Sequence, residues 1–174
     1  SRDGRLLRTY RKGEARLTAN LGDYAFMIEG LLNLYEATFE RRWLDEARRL
    51  ADASIEHFFD EQDGAFFFTA DDAEELIARS KHPRDGAIPA ANSVHALNLL
   101  RLAILSGDAK YKEKGESILR TFAPSAEKSP AAFERLLCAA DFYHARVKEI
   151  ALIGPADSEP VEAFVQTIYD RYMP

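Results

Sequence analysis

Apolar side chains cover nearly every face of residues 23–38. Tyr24, Phe26, Met27, Ile28, Leu31, Leu32, Leu34 and Tyr35 leave only Glu29 and Asn33 polar in the middle. A helix that is hydrophobic all round is enclosed on all sides, so the pattern predicts an inner helix. Residues 41–59 differ. Trp43, Leu44, Ala47, Leu50, Ala51, Ile55, Phe58 and Phe59 recur at three- and four-residue intervals, with Arg48, Arg49, Asp52 and Glu56 between them. That spacing predicts an amphipathic helix on the outside. The short Phe39-Glu40 link makes the two an antiparallel hairpin.

The alternation then repeats. Residues 93–105 are almost wholly apolar and predict a second inner helix, broken by Gly107-Asp108. Residues 109–122 carry Tyr111, Ile118, Leu119 and Phe122 as one stripe and predict a second outer helix. A third inner helix is predicted over about 130–145, with Pro130 in its first turn after Ser129. Inner, outer, inner, outer, inner is the order of a layered toroid or solenoid. The expected fold class is mainly α, a partial (α/α) toroid of antiparallel helical hairpins.

Residues 60–92 interrupt the period. Asp63-Gly64 is a turn signal. Ala65-Phe66-Phe67-Phe68-Thr69 predicts a short aromatic strand, with Leu76-Ile77-Ala78-Arg79 placed to pair back as a small β-hairpin. Ser80 to Asn92 follow as a loop holding Pro83, Gly86 and Pro89. Loops of this length in compact domains are functional or disordered, and the apolar content argues against disorder. Further on, Val147 to Gly154 predicts a strand and Pro160 opens a helix over about 160–172. The expected division is a helical region over 1–146 and a strand-helix unit over 147–174. Strand, glycine and helix also occur in that order in nucleotide-binding units, yet neither a G-x-G-x-x-G nor a Walker A pattern is present.

Composition narrows the classes. The 174 residues suffice for one domain with a real core. The formal net charge of -6 argues against a nucleic-acid partner, which needs a basic face, and against an anionic membrane surface. No apolar run reaches the roughly 18–20 residues that span a bilayer. Cys138 is the single cysteine, so an internal disulfide is excluded and a reducing compartment, the cytoplasm, is expected. In the middle of an apolar run it reads as a buried small hydrophobe. No histidine or cysteine spacing matches a metal site, and neither metal nor cofactor is expected.

Three stretches resemble a known family. Asn20 to Phe26 with Gly30 to Thr38, then Asp63 to Thr69, then Asp85 to Val94 are similar to runs of the YyaL-like thioredoxin-domain-containing proteins, relatives of the spermatogenesis-associated thioredoxin-like proteins. The resemblance covers about residues 4–174. It implies a C-terminal piece of a toroid similar to six-hairpin glycosidases and sugar 2-epimerases, with a thioredoxin-like domain before Ser1 and more chain after Pro174. There are departures: Gly22-Asp23 stands where the family commonly has two acidic residues, and His95 where it tends to have a small one.

On that fold, the inner-helix N-termini and the loop 79–89 are expected to form a pocket for a carbohydrate or carbohydrate derivative. Asp23 is either an N-cap or a substrate contact. Asp85 belongs to a solvated charged loop or serves as the second carboxylate of a glycosidase-like pair. Tyr24, Arg79, Lys81, His82, Asn92 and Ser93 are the candidate ligand-binding residues, Asn92 and Ser93 doubling as caps. Sugar 2-epimerase chemistry would instead need histidines, of which His82 is the one in the loop. His95 reads as a core histidine, and His57 and His144 as helix-end residues. The competing reading is a protein-interaction scaffold working with the thioredoxin-like domain. Two and a half hairpins do not close a toroid, so an exposed apolar face is expected, covered by self-association or by other parts of the same protein.

Overall fold

The computed structural model describes residues 5–73, 79–155 and 158–170. The chain opens with a two-stranded antiparallel sheet, β1 (Leu7–Arg11) and β2 (Glu14–Thr18), paired Leu7 to Thr18 and Thr9 to Arg16. Helices follow as α1 (Leu21–Thr38), α2 (Arg41–Phe58), α3 (Ala91–Ser106), α4 (Ala109–Lys128), α5 (Glu134–His144) and α6 (Glu159–Tyr169), with a 3-10 turn at Pro130–Ala132. The first hairpin turns at Lys12 (φ 52°) and Gly13 (φ 83°). Two successive positive φ values make the tight turn whose twist matches its strands.

The expected layering holds. α1 packs on α2 and α3, and α3 packs on α4 and α5, so α1, α3 and α5 form the inner row while α2 and α4 cover it. α3 is the most enclosed helix: Val94, His95, Ala96, Asn98, Leu99 and Leu102 are all without solvent contact. Gly115 lets α4 approach closely, since a Cβ there would lie 3.1 Å from Leu100 Cγ. α4 runs past the predicted end at 122 through Pro124 to Lys128.

Several expectations need correction. α1 is not enclosed on every side: it buries Leu21, Tyr24, Ala25, Ile28, Leu31 and Leu32 but leaves Phe26, Met27 and Leu34 open. α5 buries only Leu136 and Ala139, and Cys138 faces outward. The strand expected over 147–154 does not form. Its apolar residues Val147, Ile150, Leu152 and Ile153 are exposed, and the sheet among the described residues consists of β1 and β2 paired with each other. The second arm of the predicted hairpin at 65–79 falls mostly on residues 74–78, outside the described residues; Phe66 bridges Phe59 at the end of α2 instead. The sheet that does form, β1–β2, was not anticipated, because its strands are largely polar and exposed and only the Lys12-Gly13 turn marks it. No helix among the described residues is long and apolar enough to cross a membrane.

Candidate functional site

The segment from 59 to 90 is fastened to the helices by polar side chains that each reach backbone. Asp60 accepts from the Gln62 and Asp63 amides (2.9 and 3.3 Å) and pairs with Lys81 at 2.8 Å, and the Lys81 bond holds its carboxyl below the usual range. Lys81 also donates to Gly64 O (2.7 Å). Gly64, at φ 73°, fits where a Cβ would lie 2.4 Å from Ser117 Oγ and 2.8 Å from Thr121 Oγ1. The Arg79 guanidinium donates to Thr69 O and His57 O and lies 4.2 Å over the Phe67 ring. Asn92, wholly buried, accepts from Phe66 N (3.0 Å) and donates to Phe66 O (2.9 Å) and Lys81 O (2.8 Å).

The two aspartates named as acid or base candidates are both engaged by backbone amides. Asn20, not Asp23, is the N-cap of α1. Asp23 sits three residues on and completes a reciprocal capping box: Asn20 N donates to Asp23 Oδ2 (2.8 Å) and Asp23 N donates to Asn20 Oδ1 (3.2 Å). Asp85 accepts from Ala90 N at the start of α3 (2.7 Å) and from Arg135 N at the start of α5 (2.9 Å). Asn92 and Ser93 do not cap; α3 begins at Ala91 with Ala90 before it and no side-chain cap. Tyr24 is buried against Phe58, and its hydroxyl accepts from Leu6 N (3.2 Å).

A cleft of about 770 Å³ opens at the N-terminal ends of α1 and α3. Gly22 and Ala91 nearly touch there, since a Cβ on Gly22 would lie 4.0 Å from Ala91 Cβ. Its walls include Arg8 from β1, Asp23, Phe26 and Met27 from α1, Phe68, and Lys81, His82, Arg84 and Ile88 from the loop. Of the candidate residues, Asp23, Lys81 and His82 therefore line one space, whereas Tyr24, Arg79, Asp85, Asn92 and Ser93 lie outside its lining. His82 bonds Ser80 Oγ at 2.7 Å and stands edge-on to Phe68. Arg8, Phe26, Arg84 and Ile88 were not singled out from the sequence. Arg8 depends on the unexpected β1, and Phe26 on the open side of α1.

Two other sites bear on the choice. Among the described residues, His57, Asp71 and Asp72 are the group whose potential metal-ligand atoms lie within 4.8 Å of one another. Here His57 Nδ1 lies 3.1 Å from Asp71 Oδ1 and Arg5 pairs with Asp72, so each member of the group already has a partner. An apolar groove of about 450 Å³ runs between α4 and α5, walled by Leu119, Ala123, Leu136, Leu137, Ala140 and Tyr143.

The chain matches no family model. Human spermatogenesis-associated protein 20 is 35% identical over 180 aligned residues, covering 98% of this chain and 23% of that protein. The rat protein of the same name is 36% identical over 155 residues, covering 88% of this chain and 20% of its own length. An uncharacterized Caenorhabditis elegans protein is 27% identical over 148 residues, or 85% of this chain and 20% of that one. The chain thus spans about a fifth of the length of the curated relatives it matches. Among solved structures, a GH76 α-mannanase from Bacteroides thetaiotaomicron superposes with a TM-score of 0.51 at 18% identity, over 68% of this chain and 30% of that one. That likeness is one of fold.

Proposed function

Because its homologues are spermatogenesis-associated protein 20, of the thioredoxin-domain-containing family, and its helices build part of a glycosidase-like toroid, we propose that the chain binds a carbohydrate or carbohydrate derivative in the cleft at the N-terminal ends of α1 and α3. The observation that carries this reading is the lining itself. Phe26 and Phe68 offer flat apolar faces beside Asp23, His82 and Arg84, the mixture of aromatic surface and few polar groups that orients a small ligand. We propose binding rather than chemistry. Glycoside cleavage uses two carboxylates on either side of the bond, and Asp85, the intended second one, is not among the lining residues and gives both oxygens to backbone amides.

Calorimetric screening of hexoses and their derivatives against the chain tests the reading. At least one sugar binds, and Phe26→Ala weakens it roughly three- to tenfold, the scale of one aromatic contact. Phe26 is chosen over Asp23 because losing Asp23 would also break the α1 cap. A panel in which no sugar binds sinks the proposal.

A second reading, an interaction scaffold, is favoured by the apolar groove between α4 and α5, whose Leu137 and Tyr143 are exposed at 43% and 37%. Contiguous apolar surface of this kind finds partners; in the longer relatives other parts of the same protein would lie there, beside a thioredoxin-like domain. For the isolated chain we expect a second copy to cover it. Light scattering across a hundredfold concentration range should show mass rising above 19.6 kDa. A constant monomer mass over that range rules this reading out.

A further inference from the structure

We infer that the ligand of the cleft carries an anionic group, a phosphate or a carboxylate, held between Arg8 and Arg84; this rests on the sugar-binding reading above and deepens it. The chain as a whole is acidic, with 29 Asp and Glu against 23 Lys and Arg. Its cleft reverses that balance. Arg8, Lys81 and Arg84 line it, together with His82, against Asp23 as the single carboxylate among the lining residues. Asp23 already accepts from the Asn20 amide. Lys81 is neutralised by Asp60. Arg8 and Arg84 differ from it: among the described residues neither has an ion pair or a side-chain hydrogen bond. Arg101 and Arg135, by contrast, are engaged by Glu36 and Glu29.

Two exposed arginines therefore line one cavity without a partner among the described residues, and guanidinium forks match the oxygens of carboxylate and phosphate in pairs. The walls add to the same sign. The cleft lies at the starts of two inner helices, where helix dipoles favour negative charge; Asp23 already stands in the first turn of α1, and Asp85 accepts from Ala90 N at the start of α3. Phe26 and Phe68 then give the uncharged ring a surface to lie on.

The test is calorimetry on the 174-residue chain with glucose, glucose 6-phosphate, glucuronate and inorganic phosphate, at low and moderate salt. A charged sugar binds about tenfold or more tightly than glucose, the scale of one charge-assisted contact, and the margin shrinks as salt rises. Arg84→Gln and Arg8→Gln each remove most of that margin, lowering affinity for the charged sugar by a larger factor than for glucose. The preferred charged sugar tells ester from carboxylate. Equal affinity for all three sugars overturns the inference and leaves the proposed function standing. Inorganic phosphate binding as tightly as glucose 6-phosphate overturns the sugar and keeps the charge. No binding by any sugar or by phosphate overturns both.

Discussion

Moving from pH 7 to pH 5 costs the folded state about 2 kcal/mol through one side chain, His95. The residue lies in the middle of the molecule, fully buried on α3, with Phe66 edge-on at 4.7 Å. Its Nε2 is 2.8 Å from Ser54 Oγ, and Ser54 Oγ lies 2.7 Å from Ala51 O. A hydroxyl has one proton. With that proton given to Ala51 O, Ser54 accepts from His95 Nε2–H, and Nδ1 is left as a bare lone pair with no partner among the described residues. Burial pushes the imidazole down from 6.5 to about 3. The sign follows. The folded chain keeps His95 neutral, while the unfolded chain takes up a proton near pH 6.5. Stability is therefore complete above that value and is lost on acidification, by about 1.4 kcal/mol per pH unit, until His95 itself titrates in the folded state. Urea midpoints at pH 7 and pH 5 measure it. His95→Leu removes most of the slope and leaves Ser54 bonded to Ala51 O. An identical slope in the variant would show that other groups carry it.

Asn92→Leu should cost about 3–5 kcal/mol, a large part of a domain's typical 5–15. The side chain makes three bonds to the excursion, two of them buried and the one to Lys81 O partly so, and an apolar replacement strands the Phe66 amide, the Phe66 carbonyl and the Lys81 carbonyl at once. Each orphaned group costs about 1–3 kcal/mol, offset in part by the gained apolar contact. Amide exchange gives the local readout. Phe66 and Phe67 lose protection in the variant, beyond what the lower global stability explains, while α1 and α2 keep theirs in proportion to it. Phe66 exchanging no faster than the inner helices would refute the anchoring role.

Much of this fold is legible along the chain because helix periodicity is local. The five helices from 21 to 144 emerge within a few residues of the expected bounds, since apolar spacing alone separates inner from outer. What was not legible depends on distant partners. The run from Val147 reads as a strand, but a strand needs a partner, and among the described residues β1 and β2 pair with each other and not with it. The site was read less well than the fold for the same reason. Asp23 and Asn92 fall near helix starts and Asp85 in the loop ahead of one; Asp23 meets Asn20 only three residues away, whereas Asn92 and Asp85 are engaged by residues far off in sequence. Asp85 reaches Arg135, 50 positions away. Arg8 and Arg84 carry no local signal at all, and the folded chain brings them to one cleft.

That reach of Asp85 has a wider consequence. One carboxylate accepts from the first turns of both α3 and α5, and it belongs to a loop rather than to either helix. The axial offset between these two inner helices is thus gauged by a connector as well as by the faces that touch. Lengthening or shortening that connector would slide one row against the next with no helix residue altered. A toroid assembled this way can change its curvature, and the width of the opening at its helix starts, through loop variation, while its cores stay as they are.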